Sequence, residues 1–312
     1  MASPTTAAGP RRARRRPAAA PLARRQDQIA AYILVAPQLL GALILVIIPL
    51  LAVFWFSLND WNVLSGQFRF VGLDNYVRLT TDDAFVDSLI ASAQFSIGLV
   101  LFNISLALLL AVLLNQKLPG IIIFRTAFFA PVVVSLVAWS IVWGFLLQAD
   151  GGVNALLEIV GIQGPNWLRE PTTSMIALIV VQTFKGVGIN MVLFLAALQG
   201  VPAELKEAAQ IDGARPPRIF FSITLPLISP TILLVSIITV IGSLEVFALV
   251  DVMTGGGPGN STTVLAFYLY QQAFEFSSFG YASVLGVVMF VLILLLTFVQ
   301  WQSRKKWVFD EV

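Results

Sequence analysis

The chain has 312 residues, 58% of them hydrophobic and 12% charged, with a formal net charge of +2 and neither cysteine nor histidine. Without thiols or imidazoles, disulfides, Cys/His zinc sites, thiol catalysis and His-based triads or proton relays are excluded. The apolar residues fall in long uncharged blocks, and runs of 18 or more match the roughly 20 residues needed to cross a hydrocarbon layer of about 30 Å. Lipid is therefore the expected solvent.

Residues 1–28 open on an Ala-, Pro- and Arg-rich stretch without hydrophobic period and are read as a disordered, basic cytoplasmic tail. The run Arg11-Arg12-Ala13-Arg14-Arg15-Arg16 is read as an anchor ahead of a membrane helix rather than a nucleic-acid arm. Residues 29–312 form the membrane domain. Six apolar segments follow at 31–56, 89–114, 121–147, 174–198, 227–250 and 281–301. The first is longer than a signal-peptide core and lacks a small-residue cleavage pattern, so it is expected to stay. Backbone groups in lipid must bond within their own segment, which makes each span a helix and the fold class all-α, polytopic. With the N-terminus in the cytoplasm, fifteen Lys and Arg fall on the cytoplasmic side. Only Arg69, Arg78 and Arg169 fall outside, among ten acidic residues. The positive-inside rule favours that orientation, which also leaves the C-terminus in the cytoplasm. Trp301 and Trp307 flank the last boundary as interfacial aromatics.

The longest cytoplasmic connection, 199–230, carries Pro202, Glu204 and Glu207, and later Gly213. Pro in the first turn, acid near the positive end and Gly at the stop predict a short Ala-rich helix outside the membrane. Small side chains allow another surface to approach its backbone. Two readings stand on physics alone: a docking helix for a separate cytoplasmic partner, or an interfacial helix resting on lipid headgroups.

The run Glu207-Ala208-Ala209, Asp212-Gly213-Ala214, Phe220, Ile223, Leu225-Pro226 and Pro230 resembles the EAA loop of ABC importer permeases at every position over more than twenty residues. The resemblance covers nearly the whole chain after the tail. It implies the six-helix type I importer permease fold, with the EAA loop at 200–230 holding a coupling helix. Glu207, Ala208, Ala209, Asp212, Gly213 and Ala214 would make the contact with an ATPase subunit. It implies no cofactor on this chain, with ATP-Mg on the partner ATPase dimer. Other implied partners are an extracytoplasmic solute-binding protein and a second permease subunit, a heterodimer in the carbohydrate subfamily. Phe70-Val71-Gly72-Leu73-Asp74-Asn75-Tyr76, Thr254-Gly255-Gly256-Gly257-Pro258 and Gly280-Tyr281-Ala282-Ser283 are similar to phrases of carbohydrate permeases of the maltose and glycerol-phosphate type. They imply a sugar-class substrate.

Gly255-Gly256-Gly257-Pro258-Gly259 lacks the Gly-Lys-Ser/Thr of a phosphate cradle and is read as an outward turn. The Phe- and Tyr-rich stretch 264–279 is expected along the external interface. Lys185 and Glu245 are the two charges placed inside spans, at depths of roughly 16 Å and 8 Å from the outer end at helical rise. Charges at such depth face a cavity or one another. One reading puts both on the translocation path with Asn190, paired; the other makes them a structural pair or a snorkelling Lys. An ion-coupled secondary transporter is the alternative function, but it calls for several intramembrane carboxylates and repeated halves. An intramembrane enzyme lacks a nucleophile–base set.

Overall fold

The computed structural model describes residues 21–116 and 119–308, with side chains from Tyr32 onward. Residues 1–20 of the expected tail, Lys117 and the last four residues lie outside them. The chain divides into two compact units, 1–52 and 53–312.

In the first unit, helix α1 (Pro21–Ala42) passes through a π-helical turn, Leu43–Ile47, into α2 (Ile48–Ser57), whose last residues belong to the second unit. Residues 21–28, assigned to the tail by composition, are thus helical. Tyr32–Ser57 is a 26-residue span.

The second unit continues from the end of α2 into a hairpin, β1 (Asn59–Asn62) and β2 (Gln67–Phe70), antiparallel with Trp61 opposite Phe68. A short α3 (Asp74–Leu79) leads to α4 (Asp83–Leu114). Next come α5 (Ile121–Val133), α6 (Leu136–Leu146), the short α7 (Gly152–Ile159) and α8 (Pro171–Gly200). Helix α9 (Ala203–Ile211) lies between α8 and a run of α10 (Pro216–Ile219), a π-helical turn and α11 (Leu225–Leu227). The chain then forms α12 (Ser229–Leu244), α13 (Ala248–Met253), α14 (Leu265–Tyr270), another π-helical turn and α15 (Phe279–Trp307).

Among the described residues four helices are long and apolar enough to cross a membrane, and two bent pairs bring the number to six where each pair is one span. α5 and α6 meet at 104°, and the run Pro216–Leu227 meets α12 at 67°. At the first, α5 runs on past Pro131 to Val133, so the break falls just after the proline. Val134 and Ser135 then run extended, with ψ of 139° and 137°. Pro226 and Pro230 flank the second bend. The predicted fifth span, 227–250, is further corrected at its outer end: α12 stops at Leu244, and residues 245–247 separate it from α13.

Between lipid-solvated helices, close packing and interhelical polar ties replace the hydrophobic drive. α4 and α8 form the centre. A Cβ on Gly98 would lie 2.5 Å from Ile179 Cδ1, so the Ile179 side chain of α8 packs directly onto the α4 backbone at Gly98. Phe95, Leu178, Val181, Leu249 and Phe267 fill one half of this core. Ala107, Val187, Met191, Phe194 and Val235 fill the other half. Asn190 donates to Asn103 Oδ1 at 2.6 Å and to Thr239 Oγ1 at 3.3 Å, joining α8 to α4 and α12. Ser243 donates to Ser96 at 2.7 Å, a second tie between α12 and α4.

Candidate functional site

Helix α9 owes its limits to three residues. Pro202 occupies the N-cap with extended ψ of 132°, and Glu204 stands in the first turn. At the other end Gly213 adopts φ of 78°. Its N–H donates to Gln210 O at 3.0 Å, and the Ala214 N–H donates to Ala209 O at 2.9 Å. These two bonds form a Schellman stop, and the left-handed φ favours Gly at that position. No residue of α9 is buried. Glu204, Glu207, Ala208 and Ile211 share one exposed face at helical spacing, while Lys206 and Ala209 are half-buried. Ile211 is 87% exposed and Leu205 45% exposed, two apolar side chains that the bundle leaves uncovered.

The nominated contact residues fall into two groups. Glu207 and Ala208 lie on the outward face. Ala209, Asp212, Gly213 and Ala214 line one side of a hollow of about 300 Å³, closed opposite by Arg218, Ile219, Ser222 and Ile223. The EAA and DGA stretches therefore make one continuous surface.

The three nominated pathway residues are not brought together. Asn190 is 6% exposed and spent in the polar tie to Asn103 and Thr239. Lys185 donates to the carbonyls of Pro131, Val132 and Val134 at 2.6, 3.0 and 2.6 Å. The pairing of Lys185 with Glu245 is therefore not formed. The lone carbonyls at the α5 break satisfy the ammonium, and Glu245 caps α12 at the far end of another helix, exposed.

A vestibule of about 880 Å³ is lined by Ser140, Ile141, Gly144 and Phe145 of α6, together with Met253, Thr254 and Pro258. The Gly-rich turn is thus one wall of a cavity. Thr262 Oγ1 donates to Gly257 O at 2.7 Å and Thr263 Oγ1 to Gly256 O at 3.0 Å, fixing it. The aromatic stretch expected along the external interface divides: Leu265, Ala266, Phe267 and Tyr268 of α14 are buried, whereas Phe274 and Phe276 are 63% and 58% exposed. Two long-range bonds hold α14 inward, from the Leu265 N–H to Ser92 Oγ at 2.7 Å and from the Tyr268 hydroxyl to Asp82 at 2.6 Å.

The composition gave no warning of the Asp82 cluster. Asp82 caps α4 by accepting from the Ala84 and Phe85 amides, and it also accepts from the Tyr268 and Tyr281 hydroxyls. Burial pushes its carboxyl upward, but the hydrogen bonds from Tyr268, Tyr281, Phe85 and Ala84 outweigh that, and it is held below its ordinary value. Burial and then the Asp82 carboxylate push the Tyr268 phenol well above its usual range. Asn75 donates to Ser57 O at 3.1 Å and Asn59 O at 3.0 Å. The phrases around Asn75 and Tyr281 accordingly tie α3 to the hairpin and α15 to the start of α4.

Residues 19–307 match the family described as binding-protein-dependent transport system inner membrane component. The chain belongs to this family. Among relatives, the lactose transport system permease protein LacF of Rhizobium radiobacter is 34% identical, over 91% of this permease and 96% of LacF. The trehalose/maltose transport system permease protein MalF of Thermococcus litoralis is 33% identical, over 86% of this permease and 91% of MalF. The fold is shared with a bacterial alginate ABC transporter, solved in complex with an alginate pentasaccharide-bound periplasmic protein. That match has a TM-score of 0.80 at 23% identity, covering 92% of this permease and 97% of that chain. The resemblance read from the EAA loop is thereby established, and the ion-coupled reading is set aside. The permease is a multi-pass membrane component of an ABC importer.

Proposed function

We propose that this permease lines half of the membrane passage of an ATP-driven importer for sugars or related polyol and glycerol phosphates. The observation that carries the coupling half of this reading is α9, a capped helix presenting Glu207, Ala208 and Ile211 to the outside of the bundle. ATP-Mg belongs to a partner ATPase dimer that receives α9 in a groove. Closure of that dimer moves α9 as a rigid lever and turns the passage outward. The solute arrives from an extracytoplasmic binding protein, and a second, non-identical permease subunit completes the pore. Both termini face the cytoplasm.

For the substrate class, the support is the kinship with the permeases of lactose and trehalose/maltose transport systems. Of the three pathway residues, Glu245 keeps an exposed carboxylate at the α12–α13 break. Asn190 and Lys185 are engaged by the protein itself.

The test is Gly213→Pro in the assembled complex. Proline cannot adopt φ of 78° and removes the N–H bonded to Gln210. The variant is expected to reach the membrane and to leave ATP hydrolysis running while uptake is lost. Normal coupled uptake would overturn the docking assignment.

A further inference from the structure

Lys185 is the fifteenth residue of the thirty-residue α8, near the middle of a crossing where a charge is costly. An ammonium carries three N–H groups, and the three carbonyls of Pro131, Val132 and Val134 account for all of them. None remains for a solute. The carbonyls belong to the end of α5, where a helix leaves its last acceptors unmatched and its dipole favours a cation. Two neighbouring turns of α8 grip the same bend. One turn earlier, Val181 O accepts from Trp139 Nε1 of α6 at 3.1 Å. One turn later, a Cβ on Gly188 would lie 2.2 Å from Phe128 O of α5, so the α5 backbone rests directly on α8. α8 therefore holds both arms of the 104° bend, and the ammonium occupies its apex. The α6 arm carries Ser140, Ile141, Gly144 and Phe145 into the vestibule wall.

We propose that Lys185 is a positioning residue: it pins the bend between α5 and α6 and so sets the vestibule wall that α6 provides, without touching the solute. The consequence for transport rests on the importer reading above; the geometric claim does not. Lys185→Met would remove all three bonds, taking the ammonium from Val132 O and Val134 O and leaving Pro131 O only the Val134 N–H at 3.3 Å. Lys185→Arg keeps a multidonor cation on the same turn.

The chain has no native cysteine, so spin labels can be placed cleanly in the full-length protein in lipid nanodiscs. A pair at Phe124→Cys and Val142→Cys, both exposed, spans the bend. A control pair at Ile90→Cys and Ile176→Cys, also exposed, spans α4 and α8. The parent should give one narrow distance for each pair. Lys185→Met should add a second population above roughly 10% at the bend pair only, beyond the range of ordinary minor states, and Lys185→Arg should remove it. Should Lys185→Met fail to insert, Lys185→Gln, with two amide protons, takes its place with the same expectation. An unmoved bend distance overturns the proposal, as does equal broadening of both pairs, which would mean general loosening. If the bend responds while the assembled complex imports no solute even with Lys185 present, the importer reading fails and the positioning role stands. If uptake falls with unmoved distances, the reverse holds.

Discussion

At the scale of single residues, polar side chains in this permease mostly serve the backbone. Asp82 shows it: one carboxylate caps α4 and receives two phenols from α14 and α15. Asp82→Ala should destabilise by about 1–2 kcal/mol for the lost cap, with more for the two unmatched hydroxyls, read as a lower thermal midpoint. The sign of the pH effect follows from a carboxyl held below its ordinary value of 3.8. Its stabilisation is fully present above that value and disappears as pH falls through the folded-state value. Thermal scans between pH 5 and strongly acidic conditions should show that loss in the parent and less of it in Asp82→Asn. Sequence reasoning flagged Lys185 and Glu245 as costly charges near Asn190 and left their pairing open; the structure gives Lys185 to backbone carbonyls instead. Distance along two helices estimates depth, whereas azimuth decides which groups meet. Asn103 was overlooked, although an amide in the middle of the second apolar segment was a visible signal.

Among the elements, glycine separates packing from open space. Gly188→Ala would drive a methyl to 2.2 Å from Phe128 O, a backbone atom that cannot swing aside. A cost of about 1–3 kcal/mol is expected, typical of overpacking, measured as reduced thermal stability. Gly242→Ala meets nothing within 4 Å in the helix α12 and should be neutral or stabilising by about 0.5–1 kcal/mol. Equal destabilisation by both would refute the contact assignment. The ends of α9 were legible from Pro202 and Gly213 because caps are local chemistry. The two bends were less so: Pro131, Pro226 and Pro230 were visible, but a proline inside an apolar run signals a break without saying by how much or in which direction the chain turns.

For the molecule as a whole, the orientation argued from loop charge gives a direct measurement. Ser65→Cys, in the exposed hairpin turn, should react with an impermeant maleimide in intact cells. Ala208→Cys, on α9, should react only after the membrane is opened. The opposite pattern would invert the topology and remove α9 from any cytoplasmic partner. The sequence by itself determined six apolar segments, their all-α character and the exposed EAA helix, because each depends on composition, local caps or a contiguous motif. Only the tertiary structure decided that Lys185 holds a broken helix, that Asn190 ties three helices together, that α14 is buried and that the Gly-rich turn borders a vestibule. These outcomes depend on which faces of distant segments meet, and that is settled by close packing and by matching every polar group where water cannot do so.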